Sequence, residues 1–181
     1  MSGRLSSHER LRSMYPGGRA DSRALRYARM WSRVFGWGLL PRRWVTLEVT
    51  GRTSGRIKRF PLGMADWNGQ WYLVPMLGEQ CNWVQNVRAA DGRATLRRRG
   101  AVACQLVELP VGERGPVLRR YLEKVPGGRP HIPVDRHAPT AEFTAIAPRY
   151  PVFRVVPVGP EASLAAADQH PQRRRGSWRP A

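Results

Sequence analysis

Residues 44–76 have the sequence WVTLEVTGRTSGRIKRFPLGMADWNGQWYLVPM, and this stretch decides the fold class. Residues 44–50 alternate in polarity and are rich in β-branched side chains, which predicts a β-strand. The runs 57–67 and 70–76 predict two further strands. Two glycines in the first turn permit a positive φ, and Asn68-Gly69 is a strong signal for a hairpin. The stretch therefore predicts a three-stranded antiparallel meander.

The remainder of the sequence extends this pattern to six strands. After the meander we predict a loop at 77–81, a helix at 82–90, strands at 93–99 and 101–109, a helix at 113–125, a loop at 126–140, a short helix at 140–147 and a strand at 151–158. A doubly wound sheet would require strict alternation of strands and helices, whereas hairpin connections with short helices between them indicate a small barrel. The predicted fold class is therefore α+β, mainly β.

The ends of the chain differ from its middle in charge. The formal net charge is +18, and residues 1–60 hold 14 basic and 3 acidic side chains, whereas residues 61–171 hold 13 and 10. A hydrophobic fraction of 41% is sufficient for a packed core. We predict a disordered basic arm at 1–19, one barrel domain at 20–158 and a flexible basic tail at 159–181.

We predict an N-terminal amphipathic helix from Asp21 to Gly38, before the first strand of the barrel. One arc of this 21–38 helix is basic (Arg26, Arg29, Arg33) and the opposite arc is apolar (Trp31, Phe35, Leu39). This pattern is typical of a helix lying on an anionic membrane surface, although the same apolar arc would also seal one end of a barrel. No apolar run approaches the ~20 residues of a membrane span and no secretory signal is visible. We expect a cytoplasmic protein, with peripheral attachment to the inner face of the membrane through this helix.

The cysteines and histidines favour no metal site. Cys81 and Cys104 lack Cys-x-x-Cys spacing, so we predict two buried free thiols. His131, Asp135 and His137 form a cluster without a helical His-x-x-x-His pair or a cysteine partner. We interpret His131 and His137 as candidate catalytic residues, as proton donors or substrate-lining groups, with an ordinary surface loop as the alternative.

Two glycine-containing loops are candidate binding segments. The loop 50–56 (TGRTSGR) combines permissive backbone with charged and hydroxyl donors, which suits a phosphate, although an ordinary charged hairpin turn has the same composition. The segment 75–86 leads from a strand through a glycine to a helix start, where backbone amides and the positive end of the helix dipole meet. Trp83 would pack on a flat ring, or else Trp83 and Val87 fill the barrel.

Taken in order, these segments resemble the deazaflavin-dependent nitroreductase and quinone reductase family. The resemblance covers residues 24–158 and depends on five runs: LEVTGRTSGR at 47–56, FPL at 60–62, WYLV at 71–74, NWVQNVR at 82–88 and YPVFR at 150–154. It implies a split β-barrel of the FMN- and deazaflavin-binding kind that binds coenzyme F420. It also implies hydride transfer from the reduced cofactor to quinones, nitroaromatics or similar electron-poor small molecules.

The resemblance also implies which residues bind the cofactor. Those near its phosphate and acidic tail would be Arg52, Thr53, Ser54 and Arg56. Those that present backbone to the deazaflavin ring would be Phe60, Pro61 and Leu62. The cofactor loop and the helix behind it would contribute Met76, Leu77, Gly78, Trp83 and Asn86.

The chain departs from the family in two places. Family members often carry a hydroxyl residue and a lysine where Met76 and Leu77 stand, so Arg56 or Arg88 would have to supply the missing cation. The tyrosine cluster typical of the nitroreductases is replaced by the histidine-containing loop, which predicts a different acceptor.

The sequence leaves two alternatives to an F420-dependent reductase open. A basic barrel with arginine-rich ends resembles nucleic-acid-binding proteins, but the charge lies in the terminal segments and no basic-aromatic face is evident in the middle, so nucleic acid is the less favoured partner. The same barrel with FMN as its cofactor is the other alternative. The sequence leaves the oligomeric state open.

Overall fold

Six antiparallel strands close into a barrel in the computed structural model, which describes residues 42–159. The strands of this part of the chain are β1 (Trp44–Thr50), β2 (Ile57–Trp67), β3 (Gln70–Leu73), β4 (Arg93–Arg98), β5 (Gly100–Glu108) and β6 (Phe153–Pro157). Its α-helices are α1 (Asn82–Ala89), α2 (Arg114–Lys124) and α3 (Thr140–Ile146). The order around the barrel is β1-β2-β3-β6-β5-β4, and the predicted barrel is thereby confirmed. The predicted arm, the 21–38 helix and the tail from residue 160 lie outside the described residues.

Alternating apolar side chains fill the inside of the barrel. Val45, Leu47 and Val49 of β1 point inward and are almost completely buried, together with inward residues of the other strands: Met64, Leu73, Leu96, Cys104, Leu106, Phe153 and Val155. Helix α1 adds Trp83, Val84 and Val87 to this core. Both cysteines are buried and free, as predicted, and burial raises the pKa of the Cys81 thiol to about 11 and that of Cys104 to about 12.

A second core lies on the outer face of the barrel. Helix α2 packs against β2, and α2 also packs against α3. The barrel contributes side chains that point away from its interior, Ala65 and Tyr72. The helices contribute their apolar faces, which include Leu118, Leu122 and Phe143. The loop between α2 and α3 joins this core through Ile132. The second core therefore covers one side of the barrel.

Strand β2 pairs with β1 along its first part and with β3 along its last part. Residues 57–63 pair with β1, whereas only Met64–Trp67 pair with β3. We predicted that the third strand extends to residue 76, but β3 ends at Leu73. Val74 faces the second core, as Tyr72 does, but the next residue, Pro75, has no N–H to donate to a strand ladder. The chain therefore leaves β2 at this point, and in the described part of the chain residues 57–63 have no strand partner on the side away from β1; we call this unpaired edge the gap.

Candidate functional site

The exposed backbone edge of β2 forms the first side of the site. Gly51 N donates to Arg56 O at 2.9 Å and Met64 N donates to Arg43 O at 2.7 Å, so the even-numbered residues of β2 bond to β1. The odd-numbered residues, among them Pro61, direct their backbone to the side from which β3 has departed. Proline is tolerated there because its missing N–H has no ladder partner to lose. The predicted segment 60–62 thus lines the gap, with the side chains of Phe60 and Leu62 half-buried against the barrel core.

The hairpin between β1 and β2 stands at one end of this gap. Gly55 N donates to Gly51 O at 2.8 Å, and Gly55 has a φ of 63°, the left-handed conformation that glycine adopts without strain. Arg56 N donates to Ser54 Oγ at 3.4 Å. Within residues 42–159 the amides of Thr53 and Ser54 have no acceptor, so two N–H groups of the exposed hairpin tip are available to a ligand.

Arg52 fastens this hairpin to helix α1. Its backbone amide donates to Asn86 Oδ1 at 3.2 Å, and its guanidinium Nη1 donates to the same oxygen at 3.0 Å. Its Nη2 reaches Asn82 Oδ1, one helical turn earlier, at 3.5 Å. Asn86 is only 4% exposed, so it can accept these bonds but has little surface left for a ligand. The structure therefore brings together two predicted cofactor residues, Arg52 and Asn86, and gives each of them a protein partner.

Two cations near the hairpin have no such partner. Among residues 42–159, no hydrogen bond or ion pair engages the side chain of Arg56 or of Lys58, and both are exposed. Lys58 Cε lies 3.1 Å from the place that a Cβ on Gly51 would occupy, and Ser54 Oγ lies 3.0 Å from the same place. The lysine stem therefore folds over the hairpin toward its hydroxyl. Arg59 differs, because its Nε donates to Glu48 Oε1 at 2.7 Å.

Sequence reasoning missed Lys58. The residue lies one position outside the glycine loop, inside a predicted strand, and a strand cation is usually a solvated side chain. The available signal was strand alternation, which places Lys58 on the same face as Phe60 and Leu62.

The segment after β3 leads into helix α1 and carries three predicted cofactor residues, Met76, Leu77 and Gly78. Met76 and Leu77 are half-buried, and Gly78 begins a short 3-10 helix, Gly78–Gln80, with a φ of 68°. A Cβ on Gly78 would lie 2.6 Å from Arg149 O. The glycine is therefore required by close packing against the chain segment that precedes β6. The predicted role of this segment in cofactor binding stays a prediction.

Trp83 lies in the barrel core. Its ring packs edge-on against Phe153 with centroids 5.4 Å apart, and the side chain is 4% exposed. In this arrangement it offers little surface to a flat ligand, as the core-filling alternative expects.

Arg88 is engaged by carboxylates on two sides. It pairs with Glu79 and with Glu108, and these hydrogen bonds, first that to Glu108 and then that to Glu79, raise its pKa above the ordinary value. Arg88 was one of the two residues suggested to replace the family's lysine, but its charge is already neutralised by these two carboxylates. Of the two candidates for that cation, Arg56 is the one without a partner in the described part of the chain.

The histidine-containing loop contacts the site through Tyr150. Tyr150 Oη donates to His131 O at 3.2 Å, and a Cβ on Gly78 would lie 3.9 Å from the ring of the same tyrosine. His137 is exposed, and its Nε2 accepts a hydrogen bond from Arg136 Nε at 2.8 Å. The structure thus links the backbone carbonyl of His131 to the Gly78 segment through Tyr150, whereas the described hydrogen bonds of His137 stay within residues 135–137. Between residues 42 and 159, no cluster of three or more His, Cys, Asp or Glu side chains has an arrangement that could hold a metal ion.

Comparison with known proteins places this geometry in a family. Residues 26–126 match the family model described as F420H(2)-dependent quinone reductase. No curated protein matches the chain.

Several solved structures are similar. One, described as a domain-swapped dimer, is 23% identical and covers 72% of this chain and 94% of its own, with a TM-score of 0.46. An F420-H2 dependent reductase, FDR-A, is 24% identical over 63% of this chain and 94% of its own, with a TM-score of 0.43. The protein Atu2129 of unknown function from Agrobacterium tumefaciens is 13% identical over 71% of this chain and 54% of its own; its TM-score of 0.50 supports a shared fold.

Proposed function

The chain belongs to the F420H2-dependent quinone reductase family, and from this membership we propose that it reduces a quinone with hydride from reduced coenzyme F420 and accepts nitroaromatic compounds as further substrates. The protein is an F420-dependent oxidoreductase that acts on a small-molecule acceptor. The acceptor itself is the proposed part.

The donor set at the hairpin fits the anionic part of the cofactor. The observation that carries the proposal is the unpartnered, exposed pair Arg56 and Lys58 beside the Ser54 hydroxyl and the two available amides of the hairpin tip. Phosphate is bound in proteins by such combinations of cations, hydroxyls and backbone N–H groups. We propose that Thr53, Ser54, Arg56 and Lys58 hold the phosphate and acidic tail. Arg52 supports the same hairpin from behind through Asn86.

The remaining residues orient the ring and exclude water. When bound, the cofactor supplies the hydride, so the protein needs to provide position and a dry environment and no catalytic triad. The backbone of 60–62 forms the edge along which the ring would lie, and the half-buried Met76 and Leu77 would form the opposite side. A quinone that receives hydride also needs a proton. His131, next to Tyr150, is the proposed donor, and His137 is a second candidate that is exposed to solvent.

Titration of the purified protein with F420 and with FMN tests the cofactor and the chemistry together. We expect F420 to bind at micromolar concentration, and its reduced form to be oxidised on addition of a soluble quinone, followed as recovery of the F420 absorbance. A panel of one quinone and one nitroaromatic ranks the acceptors by kcat/KM. Binding of FMN in preference to F420 would contradict the proposal, and copurifying material that absorbs at 260 nm would favour the nucleic-acid alternative.

We further propose that the protein docks on the inner face of the membrane through the predicted 21–38 helix, which lies outside the described residues. Along residues 42–159 no helix is long and apolar enough to cross a membrane. Each arginine near an anionic surface contributes about 1 kcal/mol, so the three basic residues of the helix, with Arg42 and Arg43 that follow it, would sustain reversible binding. Sedimentation with phosphatidylglycerol vesicles tests this. The variant with Arg26, Arg29 and Arg33 changed to Gln should stay in the supernatant, and equal sedimentation of the two proteins would contradict the proposal.

A further inference from the structure

Arg88 joins two separate parts of the fold through two carboxylates. Its Nη1 and Nη2 donate to the two oxygens of Glu79, and its Nε and Nη2 donate to those of Glu108 at 3.0 and 2.9 Å. Bidentate pairs of this kind are stronger and more directional than single contacts between charges. Glu108 also accepts from Arg114 Nη2 at 3.0 Å. Three elements, α1, β5 and α2, are therefore connected by one chain of alternating charges.

The network ends on the segment that contains the predicted cofactor residues Met76, Leu77 and Gly78. Glu79 directly follows Gly78, and its backbone carbonyl accepts a second bond from α1, from Gln85 Nε2 at 2.9 Å. The other end is fixed, because Arg114 is buried and its guanidinium also donates to Leu109 O at 2.9 Å and Ala147 O at 3.3 Å. A network that is anchored in the core at one end and binds a loop at the other end restricts the positions that the loop can take.

We propose that Arg88 is a positioning residue that holds the segment 76–80 in its cofactor-binding arrangement by bridging Glu79 to Glu108. The inference rests on the proposed location of the cofactor in the gap beside β2. In the described part of the chain the side-chain hydrogen bonds of Arg88 go to Glu79 and Glu108, so its role is indirect. Its effect is to reduce the entropy that the segment loses when the cofactor binds, so it acts on affinity and leaves the hydride-transfer step unchanged.

The test compares Arg88→Met with a matched control in the full-length protein. Arg93→Met is the control, because Arg93 is 74% exposed and pairs only with its neighbour Asp91 in the described part of the chain. We expect Arg88→Met to weaken F420 binding about tenfold, measured by quenching of cofactor fluorescence, with kcat at saturating F420 changed less than about twofold. Amide hydrogen exchange of 76–81 in the cofactor-free protein should become faster in this variant and not in the control.

A second variant separates loop positioning from general stability. Glu79→Gln removes the charge and one of the two acceptor oxygens at the loop end of the network and leaves Arg88 paired with Glu108. We expect it to reproduce most of the loss of affinity, and the double variant should lose little more than Arg88→Met alone, because both changes break the same contact. Arg88→Lys should recover part of the affinity, since a lysine can pair with one carboxylate but cannot bridge two.

Each outcome has a defined meaning. If the unmodified protein does not bind F420, the proposed function is wrong. If it binds F420 and Glu79→Gln binds equally well with unchanged exchange of 76–81, the positioning role is wrong. A fall in kcat at saturating F420 with unchanged affinity would also overturn it, because Arg88 would then act on the chemical step.

Discussion

The backbone amide and the guanidinium of Arg52 converge on one atom, Oδ1 of Asn86, at 3.2 and 3.0 Å, across 34 residues of sequence. The first bond fixes the hairpin backbone and the second fixes the side chain, so the β1–β2 hairpin and helix α1 behave as one unit. Both residues were predicted to hold the cofactor directly. Their mutual contact favours a supporting role, in which they place the free donors of the hairpin at the gap.

Asn86→Ala should therefore affect stability as well as affinity. The change leaves the Arg52 amide and Nη1 without their acceptor, and we expect a loss of about 1–2 kcal/mol in the free energy of unfolding, measured in urea. Cofactor affinity should fall with it. Asn86→Asp is the control, because it retains the accepting oxygen. Equal stability of Asn86→Ala and the unmodified protein would show that the contact contributes nothing to the fold.

Arg56→Ala and Lys58→Ala should each weaken F420 binding without destabilising the protein. Charge-assisted hydrogen bonds contribute about 1.5–3 kcal/mol, so we expect a loss of roughly tenfold or more at low salt and a smaller loss at high salt. Lys124→Ala, a change at the end of α2, is the matched control. Titrations at two salt concentrations provide the measurement. Unchanged affinity in the Arg56→Ala/Lys58→Ala double variant would place the phosphate elsewhere.

The pair Gly78→Ala and Gly55→Ala separates backbone strain from lack of space. Both glycines have a positive φ, 68° and 63°, so each alanine should cost about 1–2 kcal/mol from conformation alone. Only at Gly78 would the new Cβ also meet a backbone oxygen, Arg149 O, whereas nothing lies within 4 Å at Gly55. We expect Gly78→Ala to be the more destabilising in urea and to reduce F420 affinity. Equal losses would mean that the segment moves freely away from Arg149.

Glu48 should make stability depend on pH. Burial by itself would raise the pKa of this carboxyl, but hydrogen bonds from Arg97 and Arg59 outweigh it and hold the pKa below its ordinary value of 4.5. A carboxyl whose pKa is lower in the folded state stabilises the protein above its unfolded pKa, and this stabilisation is lost as the pH falls through the folded pKa.

Glu48→Gln should therefore reduce the free energy of unfolding by about 1 kcal/mol at pH 7, since both arginines are substantially exposed. The difference from the unmodified protein should shrink as the pH falls below 4.5, the ordinary value for a glutamate. Urea denaturation at pH 7 and pH 3.5 measures it, with the exposed Glu142→Gln as control. A difference that stays constant between the two pH values would exclude the ionised carboxylate as its cause.

Much of the fold was predictable because its signals are local. Alternation in β1, the Asn68-Gly69 turn and the hairpin 93–109 each depend on a few adjacent residues, and the structure has all of them. The end of β3 at Leu73 was not predicted, because the apolar run 71–76 is typical of one continuous buried strand. In the structure the pairing of β3 with β2 and with β6 stops at Leu73, two residues before Pro75, whose nitrogen cannot donate to a ladder.

For the site, the sequence by itself determined which segments belong together: the glycine hairpin, the run 60–62 and the segment before α1, because glycine, proline and charge impose local backbone and chemical preferences. The tertiary structure decided which side chains are available to a ligand. It paired Arg52 with Asn86 and Arg88 with Glu79 and Glu108, and it left Arg56 and Lys58 without partners in the described chain. The physical reason is that a side chain is available to a ligand only if the fold brings no acceptor within hydrogen-bonding distance of it. These acceptors are distant in sequence, so no local pattern encodes their position.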